Sequence, residues 1–212
     1  MADTLDDLLS RGAPPVIAIL RGISPAEIVA VGLALVDAGI LTIEVPLNSP
    51  EPLASIERLV RAVQPEVLVG AGTVVETSQV DAAAAAGARL IVAPNTDANV
   101  IRRSLQQGLA VIPGFMTASE AFAAWASGAR HLKLFPASST GTSHLKALLD
   151  VLPRDCRVWA VGGTNSSTLA EWLHAGAVGI GVGGSLYRPG DTAEIVRARA
   201  AELVHQWRNS RR

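Results

Sequence analysis

The chain has 212 residues, 49% of them hydrophobic and 17% charged, which is ample for a sizeable core in one domain. Its 18 basic residues nearly balance its 19 acidic ones, for a net charge of -1, so no global basic field exists to attract nucleic acid or anionic lipid. A single cysteine, Cys156, leaves neither a disulfide framework nor a cysteine-ligated zinc site within one chain.

The basic residues are unevenly chosen: 16 are Arg and only two are Lys, Lys133 and Lys146. Arg neither forms an imine nor readily loses its proton, whereas Lys does both. Each lysine therefore merits attention.

Along the chain, Met1 to Ser10 carries Asp3, Asp6 and Asp7 without a basic n-region, which reads against a secretory leader. Thr4–Arg11 reads as an extra helix covering one end of the fold. Short β-branched runs then follow at Val16–Leu20, Leu41–Val45, Val67–Ala71, Arg89–Ala93, Leu109–Ile112, His131–Phe135, Val158–Val161 and Val178–Val182. Between them, Pro25–Ala38, Pro52–Val63, Ser78–Ala86, Ala98–Gln107, Ala118–Ser127, His144–Leu152 and Ser167–Ala175 show helical spacing of apolar residues. Most stop at a glycine, and Ser24, Asn48-Ser49, Thr77-Ser78, Thr117 and Asn165-Ser166 read as their N-caps. Arg197 to Arg212 reads as an amphipathic helix with a frayed basic end.

Eight strands alternating with helices predict a parallel α/β fold, a (β/α)8 TIM barrel spanning 1–212 as one domain. An open doubly wound sheet would normally stop at five or six strands. No apolar stretch reaches the length of a membrane span, and a soluble, reduced, cytoplasmic protein is expected.

Period-two alternation selects which side chains enter the lumen. In Leu41–Val45 it turns Thr42 and Glu44 inward; in His131–Phe135 it turns His131, Lys133 and Phe135 inward. Arg21 ends the first strand on the face of Ile17 and Ile19. A buried Lys–Glu pair retained only for packing is one reading. The other is imine chemistry, in which burial lowers the lysine pKa and a nearby carboxylate moves protons. Lys146 lies in a helical stretch and reads as a surface residue, and His131 as a hydrogen-bonded core histidine. Val161-Gly162-Gly163 and Val182-Gly183-Gly184-Ser185 close the seventh and eighth strands. Exposed backbone N–H groups there, with the Ser185 hydroxyl at the start of a short helix, suit a phosphate.

Several blocks in order resemble one family: Ile43-Glu44-Val45-Pro46-Leu47-Asn48, Gly70-Ala71-Gly72-Thr73, Val92-Ala93-Pro94-Asn95, Lys133-Leu134-Phe135-Pro136 and Val161-Gly162-Gly163. The chain looks like the class I aldolases of the 2-keto-3-deoxy-6-phosphogluconate and 2-keto-3-deoxy-6-phosphogalactonate type over roughly Pro15 to Gly190. That resemblance implies Lys133 as the imine-forming lysine and Glu44 as the acid/base. It implies Arg21, Thr73 and Pro94 as contacts of the pyruvate carboxylate, and Gly162, Gly163, Gly184 and Ser185 as contacts of the phosphate. It further implies no metal or other cofactor, a homotrimer, and a phosphorylated keto-deoxy sugar acid cleaved to pyruvate and glyceraldehyde 3-phosphate. Asn48 replaces an Arg, and Val161 a Thr, of the gluconate-type pattern. Both departures match the galactonate branch and make Asn48 and Val161 substrate-binding candidates. The C4 epimer, with possible 4-hydroxy-2-oxoglutarate cleavage, is the alternative substrate. A phosphate-binding barrel enzyme without imine chemistry and a non-catalytic sugar-phosphate-binding barrel are the competing functions.

Overall fold

The computed structural model describes residues 4–210; Asp3 and the frayed end expected at Arg211 and Arg212 lie outside the described residues. Its strands are β1 (Val16–Ile19), β2 (Thr42–Pro46), β3 (Leu68–Gly72), β4 (Leu90–Val92), β5 (Ala110–Ile112), β6 (Gly114–Phe115), β7 (His131–Leu134), β8 (Arg157–Val161) and β9 (Gly179–Val182). They form one parallel sheet in the order β5-β4-β3-β2-β1-β9-β8-β7-β6.

Eight strands were expected and nine are found among the described residues, because Pro113 splits one of them. Proline has no N–H to give to a ladder, so β5 pairs with β4 while β6 pairs with β7. The carbonyl of Pro113 accepts from the Lys133 N–H at 2.8 Å, and the Gly114 N–H donates to Asn95 at 3.2 Å. The sheet's two edges are thus halves of one interrupted strand, and the barrel closes through it.

Helices α1 (Leu5–Ser10), α2 (Ile28–Asp37), α3 (Pro52–Ala62), α4 (Thr77–Ala85), α5 (Ala98–Gln106), α6 (Ala118–Ala126), α7 (Gly141–Leu149), α8 (Leu169–His174) and α9 (Ala193–Ser210) complete the alternation. Gly39 ends α2 at φ +96°, as a left-handed helix stop requires. Thr117 caps α6 in a reciprocal box with Glu120. Other caps differ from expectation: Glu76 rather than Thr77 caps α4, and Glu51, at φ +40°, precedes α3 where Asn48 was expected. Asn48 is drawn elsewhere, as shown below. The last helix begins at Ala193 rather than Arg197. Among the described residues, no helix is long and apolar enough to cross a membrane.

Outward strand residues such as Ile43, Val45, Leu132, Leu134 and Ile180 pack with the helices in one large core. Ile17, Ile19, Leu68, Leu90, Val92, Ile112, Trp159 and Val161 fill the lumen, and Leu5 and Leu8 of α1 stopper its N-terminal end. Alternation therefore places Glu44 and Lys133 above an apolar plug. His131 anchors that plug: Trp159 Nε1 donates to its Nδ1 at 3.0 Å, and its Nε2 lies 3.0 Å from Asp6 Oδ1. A ring that accepts at Nδ1 carries its proton on Nε2. Burial also lowers its pKa, so His131 is a neutral, satisfied core group.

Among the described residues, three buried side-chain oxygens lack a hydrogen-bond partner: Glu44 Oε2, Ser55 Oγ and the Tyr187 hydroxyl. Tyr187 is 2% exposed; burial, with Glu27 and Asp191 nearby, pushes its pKa up to about 12. Because leaving a buried hydroxyl unpaired costs about 1–3 kcal/mol, Tyr187→Phe should be as stable as the parent or more stable by ~1 kcal/mol in urea unfolding. A clear loss of stability would reveal a partner for the hydroxyl.

Candidate active site

Lys133 lies on β7 opposite Gly114 on one side and Trp159 on the other. It is 5% exposed, with Nζ 4.7 Å from the centroid of the Phe135 ring. Glu44 lies on β2 between Ile19 and Gly70 in the register and is 1% exposed. Its carboxylate fits because β3 carries glycine at the facing position: a Cβ on Gly72 would stand 1.4 Å from Glu44 Oε2. That oxygen has no hydrogen-bond partner among the described residues.

Each charge feels the other without resolving the cost of burial. Desolvation pushes Glu44 up to about 7, against the pull of Lys133 and Arg21. Desolvation likewise lowers Lys133; Glu44 opposes that shift and Arg21 adds to it. The site thus holds a lysine biased toward its neutral, nucleophilic form and a carboxyl that titrates near neutrality, the tuning that proton-transfer chemistry needs.

A cavity of about 470 Å³ opens at the C-terminal strand ends, with Lys133 in its lining. Arg21, Lys133, Phe135, Val161, Gly162, Gly163, Gly184 and Ser185 are among its lining residues. Seven of the residues singled out from sequence therefore share one wall. Gly163 takes φ +76°, and a Cβ there would meet Ser138 Cβ at 2.5 Å, so the β8 turn is open only to glycine. Among the described residues, nothing accepts a hydrogen bond from the N–H groups of Gly163, Gly184 or Ser185. The Ser185 hydroxyl differs from expectation: it donates to the Thr164 carbonyl at 2.9 Å. The short helix expected there is a turn, in which the Leu186 and Tyr187 N–H groups both donate to Gly183. The anion donors at this end are accordingly backbone N–H groups.

Glu44, Asn48, Thr73 and Pro94 do not line the cavity. Asn48 Oδ1 instead accepts from Arg21 Nη1 at 2.6 Å, and next to it the Ser49 hydroxyl accepts from the Gly22 N–H at 2.9 Å. Asn48 therefore holds the guanidinium at the mouth. Thr73 sits just past β3 at φ +58°, a left-handed conformation that a β-branched residue adopts at a cost of about 1–3 kcal/mol. Such strain marks functional positions. Pro94 follows β4, its carbonyl 2.2 Å from where a Gly114 Cβ would stand. Phe135 and Thr164 were not singled out as site residues, although the alternation that aims Lys133 inward aims Phe135 inward as well. Among the described residues, no group of three or more His, Cys, Asp or Glu side chains is placed to hold a metal ion.

Lys146 lies on α7 with its side chain exposed, far in environment from the lumen amine.

This architecture has relatives. The model of the family "Aldolase: KDPG and KHG aldolase" matches residues 9–199. The chain is 47% identical over 196 residues to the 2-dehydro-3-deoxy-6-phosphogalactonate aldolase of Escherichia coli, covering 92% of this chain and 96% of that one. It is 34% identical to the 2-dehydro-3-deoxy-phosphogluconate aldolase of Pseudomonas aeruginosa, covering 97% and 94%. A solved structure described as "Native KDPGal structure" superposes with a TM-score of 0.91 at 47% identity, over 92% of this chain and 95% of that one.

Proposed function

The chain belongs to the KDPG and KHG aldolase family, and from that premise we propose that it is a class I aldolase cleaving 2-dehydro-3-deoxy-6-phospho-D-galactonate reversibly to pyruvate and D-glyceraldehyde 3-phosphate. The observation that carries this reading is the buried pair Lys133 and Glu44, each shifting the other's pKa, with Lys133 opening into a cavity lined by glycine turns.

In the mechanism, neutral Lys133 Nζ attacks the C2 ketone, and the carbinolamine loses water to give an iminium. Glu44, through a water, takes the proton of the C4 hydroxyl as the C3–C4 bond breaks. The bonding pair moves into the iminium, leaving an enamine, and glyceraldehyde 3-phosphate departs. Protonation of the enamine at C3 and hydrolysis then release pyruvate and regenerate Lys133. Arg21, held by Asn48, faces the substrate carboxylate from the cavity wall; Thr73 and Pro94, the other carboxylate contacts that the resemblance implies, lie outside that lining. The N–H groups of Gly162, Gly163, Gly184 and Ser185 receive the phosphate.

Val161 presents an apolar wall where the gluconate-type pattern has a hydroxyl. A site that lacks a polar partner discriminates differently from one that supplies it, and the higher identity to the galactonate relative points the same way. Comparing kcat/KM for the two C4 epimers tests the assignment: the galactonate epimer should be preferred, and a preference for the gluconate epimer overturns the branch. The family resemblance implies a homotrimer, and the composition of the chain, with its single cysteine Cys156, suits a cytoplasmic setting.

A further inference from the structure

The wall that would receive a phosphate is made of neutral groups. Gly162, Gly163, Thr164, Gly183, Gly184 and Ser185 line it, whereas the cavity's cations, Arg21 and Lys133, belong to the keto-acid end. A phosphate monoester carries nearly two negative charges at neutral pH, and backbone dipoles alone compensate them weakly where solvent reaches the turn.

Arg188 lies beside that wall. Its Nε donates to the carbonyl of Gly184 at 2.9 Å, and its backbone N–H donates to Asp191 Oδ2 at 2.7 Å. Asp191 is in turn engaged by the guanidinium of Arg199, with Nη1 2.5 Å from Oδ2. Asp191, which also feels the Arg188 charge, is thus hydrogen-bonded by another arginine, while Arg188 is fixed to the phosphate turn through one donor of a planar, five-donor fork. Among the described residues, its two Nη groups have no hydrogen-bond or ion-pair partner, and the side chain is exposed. Because the guanidinium is rigid, pinning Nε to the Gly184 carbonyl brings those donors to the rim of the same turn.

We propose that Arg188 is a phosphate-anchoring residue, its Nη groups closing over the phosphoryl end of the substrate once the N–H groups of Gly184 and Ser185 have engaged it. This rests on the reading of the cavity as a sugar-phosphate site, and deepens it by naming the charge that selects phosphorylated substrates. The anchor is missed in the sequence because an arginine three residues beyond a glycine turn looks like any surface arginine. Only the Nε–carbonyl bond ties it to the site.

The test is binding of inorganic phosphate, measured calorimetrically, to the full-length protein and to Arg188→Ala and Arg188→Lys. Removing a charge-assisted hydrogen bond should raise Kd about tenfold in Arg188→Ala, with a smaller rise in Arg188→Lys, which keeps the charge but loses the fork. Imine formation with pyruvate, trapped by borohydride, reports the other end of the site. Phosphate affinity falling while trapping is retained supports the anchor. A parallel fall in both, an unchanged Kd in Arg188→Ala, or no phosphate binding by the parent protein overturns it. If the parent binds phosphate but traps no pyruvate, the aldolase reading fails while the anchor stands.

Discussion

Lys133→Met should abolish aldol cleavage, with kcat falling at least ~10⁵-fold, the scale on which losing a covalent nucleophile acts. Pyruvate release coupled to lactate dehydrogenase reads this directly. Unfolding is not the expected cause. Replacing a buried charge with an apolar side chain of similar length is often neutral or stabilising, and Met lies comfortably against Phe135 and Trp159. Glu44, relieved of the lysine that pulls its pKa down, would hold its proton more firmly and stay neutral in the lumen. Lys146→Met, on the exposed face of α7, should leave turnover near the parent value. Near-normal cleavage by Lys133→Met would remove imine chemistry from this site.

Glu44→Gln should retain imine formation but slow cleavage by roughly 10²–10⁴-fold, the range of general acid–base catalysis. The pH profile makes the assignment sharper. As a base, Glu44 works when ionised, so kcat/KM of the parent should rise with pH through about 7, the value to which burial pushes it. Glu44→Gln should lose that limb and should also lower the Lys133 pKa further, since the carboxylate is what opposes its depression. Stability moves in the opposite direction. Between the ordinary carboxyl value of 4.5 and about 7, the folded state retains a proton that the unfolded chain has lost, so rising pH destabilises the parent across that window. Glu44→Gln should escape this and melt higher than the parent at pH 8. A variant with normal turnover and an intact limb near 7 would take Glu44 out of the proton path.

The parts of the fold that follow from periodicity were legible in the sequence. Alternation alone sent Glu44 and Lys133 into the lumen and left Lys146 outside, and glycine stops such as Gly39 ended helices where expected. Less visible were features set by two distant segments. The split of the strand at Pro113 depends on β4 and β7 competing for its two sides; Gly114–Phe115 by itself is too short for any pattern. Asn48 looked like a helix cap because Asn before Ser-Pro usually is one. The Arg21 guanidinium, arriving from the neighbouring loop, claims its side chain instead. Ser185 looked like a free donor, but its hydroxyl donates to the Thr164 carbonyl, brought beside it by strand order. The strained backbone of Thr73 likewise leaves no trace in composition. Local chemistry singled out the proposed reacting pair, whereas the groups that position it depend on contacts between distant loops.

The central claim is that one lysine of two carries the chemistry. Incubating the protein with pyruvate, reducing with borohydride and mapping the adduct by peptide mass spectrometry tests it most directly. The pyruvyl mass should appear on the peptide that contains Lys133 and be absent in Lys133→Met. No adduct, or an adduct confined to Lys146, would contradict the account.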